Sequence, residues 1–386
     1  RKRSMKKIRV MTVFGTRPEA IKMAPLAAEL SRRTEIESIC CVTAQHRQML
    51  DSVLDVFSLK PEYDLNIMQE GQTLSSITAR TITGMDAVLE EAQPDIVLVH
   101  GDTSTTFAGA LSAFYHKVKV GHVEAGLRTY NKYSPYPEEM NRQLVGRIAD
   151  LHFSPTKANS ENLRREAVQG DIFVTGNTVI DALSMSVREK YKFEDEKLNR
   201  AVNSGKRIVL MTAHRRENYG EPLENIMLAA RDIAENFPDV EIIYPVHMSP
   251  VVRSTAERIL GGARGVTLTE PLNVIDMHNL MARSFMVMTD SGGIQEEAPA
   301  LGKPVLVLRR ETERPEAVEA GTVKIAGVDR GEIYSLGAQL LTDENEYQKM
   351  ARAVNPYGDG KASERIADAI LWHFGVTDKE PAQFGY

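Results

Sequence analysis

The sequence is poor in the features that mark secreted, metal-binding and membrane proteins. Its 386 residues include two cysteines, Cys40 and Cys41, which are adjacent and poorly placed to pair. No zinc or redox spacing surrounds them, so we expect buried, reduced thiols in a cytoplasmic protein. No apolar run reaches the roughly 18 residues of a membrane span. The basic residues before Met5 are not followed by the apolar stretch of a signal peptide.

Strong charge and several catalytic motifs are also missing. A net charge of −6 argues against a general nucleic-acid-binding surface. The first predicted strand is not followed by G-x-G-x-x-G, which counts against NAD, and the Walker loop, H-E-x-x-H and G-x-S-x-G are absent. His122 and Glu124 fit the H-x-E of zinc deaminases, but no P-C-x-x-C accompanies them, which excludes that class.

Apolar, strand-like runs alternate with helical segments along the whole chain, a pattern typical of parallel sheets covered by helices. The chain is long enough for two cores, and we predict an α/β protein with two doubly wound domains facing each other across a cleft. A charged segment at residues 188–200, expected to be solvated, precedes the second series. The predicted strands are residues 8–14, 39–43, 95–100, 118–123, 151–154, 172–175, 207–212, 241–245, 266–268, 285–289 and 304–308.

The unusual polar residues follow these strands. Ligands of doubly wound folds bind beyond the carboxyl ends of the strands, so we expect a site formed by residues with these positions. They are Arg17, Asp102, Glu124, His214, His247 and Ser291.

Residues 289–297, Thr-Asp-Ser-Gly-Gly-Ile-Gln-Glu-Glu, follow a predicted buried strand and lead into a predicted helix. Adjacent glycines let backbone N–H groups approach a ligand, and the positive end of the helix favours an anion. Carboxylates one turn later can accept from ribose hydroxyls. The segment predicts a cradle for a nucleotide diphosphate; the plainer alternative is a tight turn in which Ser291 caps the helix.

Asp102, Glu124 and Glu138 are candidate acid–base groups. Carboxylates that converge on one cleft can have their pKa values pushed apart, which leaves one as the base and another as the acid. Each also has a structural alternative, since Asp102 could cap the next helix and Glu138 is a usual first-turn residue. Which carboxylate is base and which is acid stays open.

Basic residues follow two strands of the second series, in residues 213–218 and 309–315. Cations beside a glycine turn suit a pyrophosphate leaving group, whose developing charge they stabilise. The alternatives are a solvated ion-pair surface for Arg310 and a partly buried structural histidine for His214.

Seven motifs in order, from about residue 7 to 374, resemble those of the bacterial non-hydrolysing UDP-N-acetylglucosamine 2-epimerases. They are residues 15–19 (GTRPE), 100–103 (HGDT), 122–129 (HVEAGLRT), 137–139 (PEE), 214–218 (HRREN), 290–298 (DSGGIQEEA) and 312–316 (TERPE).

The resemblance implies a GT-B fold of two Rossmann-like domains, residues 1–176 plus 362–386, whose last helix crosses back, and residues 177–361. It implies interconversion of UDP-N-acetylglucosamine and UDP-N-acetylmannosamine through a 2-acetamidoglucal intermediate, within cell-wall polysaccharide biosynthesis. It also implies a homodimer, with no cofactor and no metal. The implied catalytic residues are Asp102, Glu124, Glu138 and His214, and the implied substrate-binding residues are Arg17, Lys22, His214, Ser291, Gly292, Gly293, Glu297 and Arg314.

Family members often bind a second UDP-N-acetylglucosamine as an activator, and Gln45, Gln48 and His247 match that pattern. Gly71 stands where an arginine is expected, so the sequence leaves activation open. Three rival functions also remain: a glycosyltransferase on the same fold, a hydrolysing epimerase that releases N-acetylmannosamine, and a non-catalytic nucleotide-sugar sensor.

Overall fold

The structure, a computed structural model, describes residues 6–45 and 47–385. The basic residues before Met5 and His46 lie outside this part of the chain. The described residues of Arg1–Met185 and Tyr357–Tyr386 form one compact unit, and Ser186–Pro356 form a second. The domain boundaries expected from the sequence were 176/177 and 361/362.

Each unit is built on one parallel sheet. In the described residues of the first unit the strands are β1 (Ile8–Phe14), β2 (Ile36–Val42), β3 (Tyr63–Asp64), β4 (Ile96–His100), β5 (Lys119–Val123), β6 (Leu151–Ser154) and β7 (Asp171–Val174), in the spatial order β3-β2-β1-β4-β5-β6-β7. In the second unit they are β8 (Arg207–Thr212), β9 (Val240–Pro245), β10 (Val266–Thr269), β11 (Met286–Thr289), β12 (Val305–Val307) and β13 (Val323–Ile325), in the order β10-β9-β8-β11-β12-β13.

Helices connect the strands. Those of the described residues are α1 (Arg17–Arg32), α2 (Arg47–Val56), α3 (Leu74–Ala92), α4 (Ser104–Tyr115), α5 (Glu138–Ile148), α6 (Lys157–Arg165), α7 (Thr178–Ser186), α8 (Glu196–Val202), α9 (Glu221–Asn236), α10 (Pro250–Leu260), α11 (Val274–Arg283), α12 (Gly292–Ala300), α13 (Pro315–Ala320), α14 (Arg330–Thr342), α15 (Glu344–Ala351) and α16 (Ala362–His373). No helix within this described part is long and apolar enough to cross a membrane.

Both sheets have the doubly wound order, because the chain starts in the middle, moves to one edge and then returns to the other side of the first strand. Right-handed crossovers in both directions place helices on both faces of each sheet. The central strands are therefore buried on both sides, which is why β4 is a continuous apolar run up to its last residue, with all five positions buried. The predicted α/β fold with two parallel sheets is confirmed.

The last helix packs with the first unit. Asp181 in α7 accepts hydrogen bonds from the backbone N–H groups of Ala362 and Ser363, at 3.2 and 2.7 Å, at the start of α16. The segment after α16 then runs beside β7, where Phe384 N donates to Val174 O at 2.8 Å. These bonds join the chain's end to the first sheet.

The charged side chains of residues 188–200 are mostly exposed, as expected, but the segment is not solvated throughout. Phe193 and Leu198 are fully buried, and Leu198 lies in α8. The sparse apolar residues of this charged segment thus form part of the core of the second unit. The two-residue strand β3 (YD) and the three-residue strand β13 (VKI) are not predicted by the sequence, because each contains a charged residue and forms no apolar run. Cys40 and Cys41 are buried and free, as predicted.

Candidate active site

In the first unit the strand order reverses between β1 and β4, where doubly wound folds bind ligands. Arg17, the first residue of α1, follows β1, and Asp102 follows β4. Glu124 directly follows the next strand, β5. The fold therefore brings three of the predicted residues to one edge of this sheet.

Glu124 is fixed from several directions. Its φ of 61° lies in the left-handed region that residues other than glycine rarely adopt. Its Oε2 accepts from Lys22 Nζ at 2.5 Å and Asn177 Nδ2 at 3.1 Å, and lies 3.5 Å from His100 Nε2. Burial raises the pKa of Glu124, but Lys22 and His100 outweigh that effect, and the pKa lies well below its ordinary value. Glu124 is therefore ionised at neutral pH.

The pKa of Asp102 is shifted the other way. Burial raises it and the charge of Glu124 raises it further, while Arg142, with Nη1 3.3 Å from Asp102 Oδ2, partly opposes the shift. The charge of Glu124 acts on Asp102, and Gly101, the residue before Asp102, lies beside Glu124: a Cβ placed on Gly101 would be 3.9 Å from Glu124 Oε1. Neighbouring carboxylates with divergent pKa values are typical of acid–base sites.

The turn that carries Asp102 is held by a buried histidine. His122 Nε2 lies 2.7 Å from Gly101 O, and burial lowers the pKa of His122 to about 3, so the ring is neutral and donates this bond. The cap of α4 is Thr103, whose Oγ1 accepts from Thr106 N at 3.1 Å. The alternative in which Asp102 serves as the helix cap is therefore wrong.

Glu138 is the first residue of α5, and its Oε2 is buried without a hydrogen bond to any described residue. One turn later on the same helix face, Arg142 reaches the Asp102 carboxylate. Asn141 donates to Asp102 O at 2.9 Å. Glu138 thus begins the helix that contacts Asp102 through Asn141 and Arg142, and its Oε2 is an oxygen that a ligand or proton can engage. By contrast, Glu139 accepts from Thr129 N and Arg142 and is structural.

The motif at residues 15–19 contains two charged side chains: Glu19 has a structural role, and Arg17 can bind a ligand. Glu19 is buried and accepts from Thr16 N at 2.8 Å and Thr103 Oγ1 at 2.8 Å, which joins the turn after β1 to the turn after β4. The Arg17 guanidinium, by contrast, forms no hydrogen bond or ion pair with any residue that the structure describes. It is therefore available to an anion.

In the second unit the strand order reverses between β8 and β11, and the predicted residues again follow these strands. The buried Asp290 accepts from the backbone N–H groups of His214 and Arg215, both at 2.8 Å. Its Oδ1 lies 3.4 Å from His214 Nδ1. Asp290 thus fixes the loop that carries His214.

The His214 ring is stacked on that of His247, with centroids 5.1 Å apart and planes 10° apart. Burial lowers the pKa of His214, and His247 and Arg215 lower it further, against Asp290. The neutral ring is favoured, so it can accept or donate a hydrogen bond. Because 38% of the side chain is exposed, a ligand can reach it.

The turn Ser291-Gly292-Gly293 is flanked by opposite charges. A Cβ on Gly292 would lie 3.5 Å from Arg314 Nη2, and a Cβ on Gly293 would lie 3.4 Å from Glu297 Oε1. The bare α-carbons thus leave a cation beside one glycine and a carboxylate beside the other. A diphosphate at the start of α12 with a ribose beside it needs this arrangement.

Ser291 lies at the N-cap of α12, but no hydrogen bond to its side chain from a described residue caps the helix. The alternative in which the hydroxyl caps the helix is therefore wrong. Ser291 Oγ lies 4.0 Å from the Cβ position on Gly293, so it borders the same open face.

The predicted activator residues fall in both units. In the first, Gln45 Oε1 accepts from Thr105 Oγ1 at 3.3 Å, and Gln48 is exposed. In the second, His247 is exposed and stacked on His214. Gly71 has a φ of 66°, in which an arginine would be strained.

Four residues that contact Glu124 or Asp102 were not assigned this role from the sequence. Lys22, which the resemblance assigns to substrate, pairs with Glu124. His100 lies within a recognised motif, and Arg142 follows Glu138 by one helical turn, so both were within reach of sequence reasoning. Asn177 had no signal, because its contact with Glu124 joins residues far apart in the chain.

The sequence profile of the UDP-N-acetylglucosamine 2-epimerase family matches residues 28–371. The UDP-N-acetylglucosamine 2-epimerase of Bacillus subtilis is 59% identical over 98% of this chain and 99% of its own.

Solved structures are similar in sequence and fold. The epimerase of Neisseria meningitidis bound to UDP-GlcNAc is 47% identical over 94% of this chain and all of its own, with a TM-score of 0.87. The S. aureus MnaA–UDP structure is 51% identical over 98% of this chain and all of its own, with a TM-score of 0.85. The predicted GT-B fold is confirmed, and the chain belongs to the UDP-N-acetylglucosamine 2-epimerase family, the family of isomerases that its motifs indicated.

Proposed function

We propose that this protein interconverts UDP-N-acetylglucosamine and UDP-N-acetylmannosamine by inverting carbon 2 of the sugar. The substrate follows from the family and from the relatives, since the Neisseria meningitidis protein binds UDP-GlcNAc. The observation that carries the chemistry is the opposite shift in the pKa values of Asp102 and Glu124, which are neighbours at the reversal of the first sheet.

The second unit holds the nucleotide. The diphosphate binds at the N-terminus of α12, where Ser291, Gly292 and Gly293 leave the backbone N–H groups open, and Arg314 lies beside Gly292. Glu297 accepts from the ribose hydroxyls. His214 donates to a phosphate oxygen.

The reaction is an elimination followed by a re-addition. A base takes hydrogen from carbon 2 as a proton, its bonding electrons form the double bond between carbons 1 and 2, and the bond from carbon 1 to oxygen breaks with its electrons leaving on UDP. The product pair is 2-acetamidoglucal and UDP. Re-addition of UDP with a proton delivered to the opposite face of carbon 2 gives the epimer.

Two faces need two proton-exchanging groups, and the first unit offers Asp102 and Glu138. Asp102 has a raised pKa, which brings its proton affinity towards neutral pH. Glu138 carries a buried oxygen without a described partner. Glu124 stays ionised beside Lys22, and its charge raises the pKa of Asp102. Arg17, Arg314 and His214 stabilise the charge that develops on the departing UDP.

The same family resemblance supports a homodimer and activation by a second UDP-N-acetylglucosamine. Gly71, with its left-handed backbone and no arginine, supports a weakened activator response. Initial rates measured against substrate concentration test this: near-hyperbolic curves are expected, and strongly sigmoidal curves would contradict the weakened response.

Positional isotope exchange tests the proposed elimination. UDP-N-acetylglucosamine carrying oxygen-18 between carbon 1 and the β-phosphorus is incubated with the protein, and phosphorus NMR follows the label. Because the freed β-phosphate can rotate before re-addition, the label is expected to move into non-bridging positions while UDP-N-acetylmannosamine appears. Release of free N-acetylmannosamine would indicate a hydrolase, and binding without turnover would indicate a sensor. Transfer only to an added acceptor would indicate a glycosyltransferase.

A further inference from the structure

In the second unit the side chains of Glu297, His278 and Ser186 are linked by hydrogen bonds into a buried polar chain that starts beside the glycine turn. Glu297 Oε2 lies 2.9 Å from His278 Nε2, and His278 Nδ1 lies 2.7 Å from Ser186 Oγ. His278 and Ser186 are 2% and 1% exposed. They are 92 residues apart in the chain, so the fold brings them together.

The hydrogen-bonding capacities set the direction of this chain. An ionised carboxylate only accepts, so His278 Nε2 carries a proton and donates to Glu297. In the neutral imidazole Nδ1 then accepts from the Ser186 hydroxyl, which selects the tautomer that serves Glu297.

The Ser186 hydroxyl is itself fixed. Asn279 Nδ2 donates to Ser186 O at 2.8 Å, and Asn279 Oδ1 accepts from Arg188 N at 2.9 Å. Because Asn279 and His278 are consecutive in α11, one helix holds both the backbone and the side chain of Ser186. The polar chain therefore has little freedom to rearrange.

The two oxygens of Glu297 face different surroundings. Oε2 is tied to His278, whereas Oε1 lies 3.4 Å from the Cβ position of Gly293, which is exposed and has no side chain. Fixing Oε2 therefore aims Oε1 at the open face of the turn, where a ligand hydroxyl can donate to it.

We propose that His278 and Ser186 are positioning residues that hold Glu297 for ribose recognition and so set the preference for ribonucleotides over deoxyribonucleotides. This inference rests on the proposed nucleotide-binding role of Glu297. A carboxylate held in one rotamer has already lost its side-chain entropy before the ligand arrives. The polar chain thus increases the selectivity of the site without touching the ligand.

The test compares affinities for UDP, 2′-deoxy-UDP and 3′-deoxy-UDP, measured by calorimetry on the full chain. The native protein is expected to bind at least one deoxy probe about tenfold to a hundredfold more weakly than UDP, because a hydrogen bond to a charged group is lost. His278→Phe is expected to lose most of this discrimination, with weaker UDP binding and deoxy-probe affinity within about twofold of native. His278→Gln, which keeps a donor, should restore part of it.

A purely structural role predicts equal losses for UDP and the deoxy probes, and that result would overturn the proposal. If the native protein itself does not distinguish UDP from either deoxy probe, the ribose role of Glu297 fails, while epimerase turnover remains separately measurable.

Ser186 supplies an independent test should His278→Phe unfold the protein. Ser186→Ala is expected to weaken UDP binding about three- to tenfold, as for loss of one neutral hydrogen bond, and Ser186→Thr should retain native binding. In a Glu297→Gln background Ser186→Ala should have no further effect on UDP affinity. Additive losses in the double variant would show that Ser186 does not act through Glu297.

Discussion

Lys22 donates to Glu124 across 2.5 Å, although the two residues are 102 positions apart in the chain. The pair joins α1, which follows β1, to the residue that follows β5. Lys22 keeps the largely buried Glu124 carboxylate ionised. The negative charge of Glu124 in turn raises the pKa of Asp102. The acid–base properties of the first unit therefore depend on a lysine that need not touch the reacting carbon.

Lys22→Met removes this cation and keeps the length of the side chain. The pKa of Glu124 should rise, and because Glu124 then binds a proton more readily, the acidic limb of the rate–pH profile should move to higher pH. We expect turnover at pH 7 to fall at least about tenfold, within the range for disturbed acid–base groups. Lys119→Met is the matched control, because Lys119 forms an exposed pair with Asp150. An unchanged profile would contradict the role of Lys22.

Lys22→Met should also lower the stability of the fold, by an amount that depends on pH. The folded pKa of Glu124 lies below its unfolded value, so Glu124 stabilises the fold above the unfolded pKa of about 4.3, and this contribution disappears as pH falls through the folded pKa. Lys22→Met should therefore lower the free energy of unfolding most above about pH 5. Denaturant titrations at several pH values measure the difference, which should shrink on acidification.

Asp102→Asn should separate activity from stability. Turnover should fall about 10²- to 10⁴-fold, as for loss of a general acid or base. The folded pKa of Asp102 is raised, so ionisation costs the folded state more than the unfolded state, and that cost develops as pH rises through the unfolded pKa to the folded one. The variant should consequently gain stability relative to native between acidic and neutral pH. Asp86→Asn, at an exposed carboxylate of α3, is the control; a parallel loss of stability would argue against the raised pKa.

Gly293→Ala should weaken substrate binding without weakening the fold. Its φ is not positive, a Cβ there meets Glu297 Oε1 at an ordinary contact distance of 3.4 Å, and alanine favours helix. The added methyl group, however, occupies the proposed diphosphate face, so KM for UDP-N-acetylglucosamine should rise about tenfold or more if one charge-assisted hydrogen bond is lost. Gly331→Ala, in the first turn of α14, is the control for helix propensity. If Gly293→Ala keeps the native KM, the nucleotide does not bind at this turn.

Arg314→Lys keeps the charge but loses the planar guanidinium that lies over Gly292 and donates through Nε to Glu296 at 2.5 Å. Charge on UDP grows as its bond to carbon 1 breaks, so kcat should fall more than KM rises. Steady-state kinetics measure the changes in kcat and KM separately. The control is Arg330→Lys, because Arg330 forms an ion pair with Asp232 on the surface. A pure KM effect would restrict Arg314 to ground-state binding.

Sequence reasoning located several strand ends well, because largely apolar runs such as β1 and β8 identify buried parallel strands; the bounds of β1, β6 and β8 agree with the prediction to the residue. For the same reason the sequence places Asp102 and Ser291 beyond the carboxyl ends of strands, and the structure shows that these strands, β4 and β11, lie at the sheet reversals. What periodicity cannot supply is the partner of each side chain. The contacts of Glu124 with Lys22 and Asn177 join residues 102 and 53 positions apart.

The second unit shows the same limit. The sequence alone leaves Ser291 as either a helix cap or a ligand-binding group, because a Ser-Gly-Gly turn suits both. In the structure the hydroxyl forms no capping hydrogen bond with a described residue, which decides against the cap. His278 and Ser186 belong to no recognised motif, since a buried positioning pair needs only two hydrogen bonds and leaves no local pattern.

The most direct test of the central claim is hydrogen exchange at carbon 2. The protein is incubated with UDP-N-acetylglucosamine in deuterated water, and both nucleotide sugars are examined by NMR and mass spectrometry. Proton abstraction and return predict one deuterium at carbon 2 in newly formed UDP-N-acetylmannosamine, with little label in the Asp102→Asn variant. Formation of UDP-N-acetylmannosamine that retains the original hydrogen at carbon 2 would contradict the account.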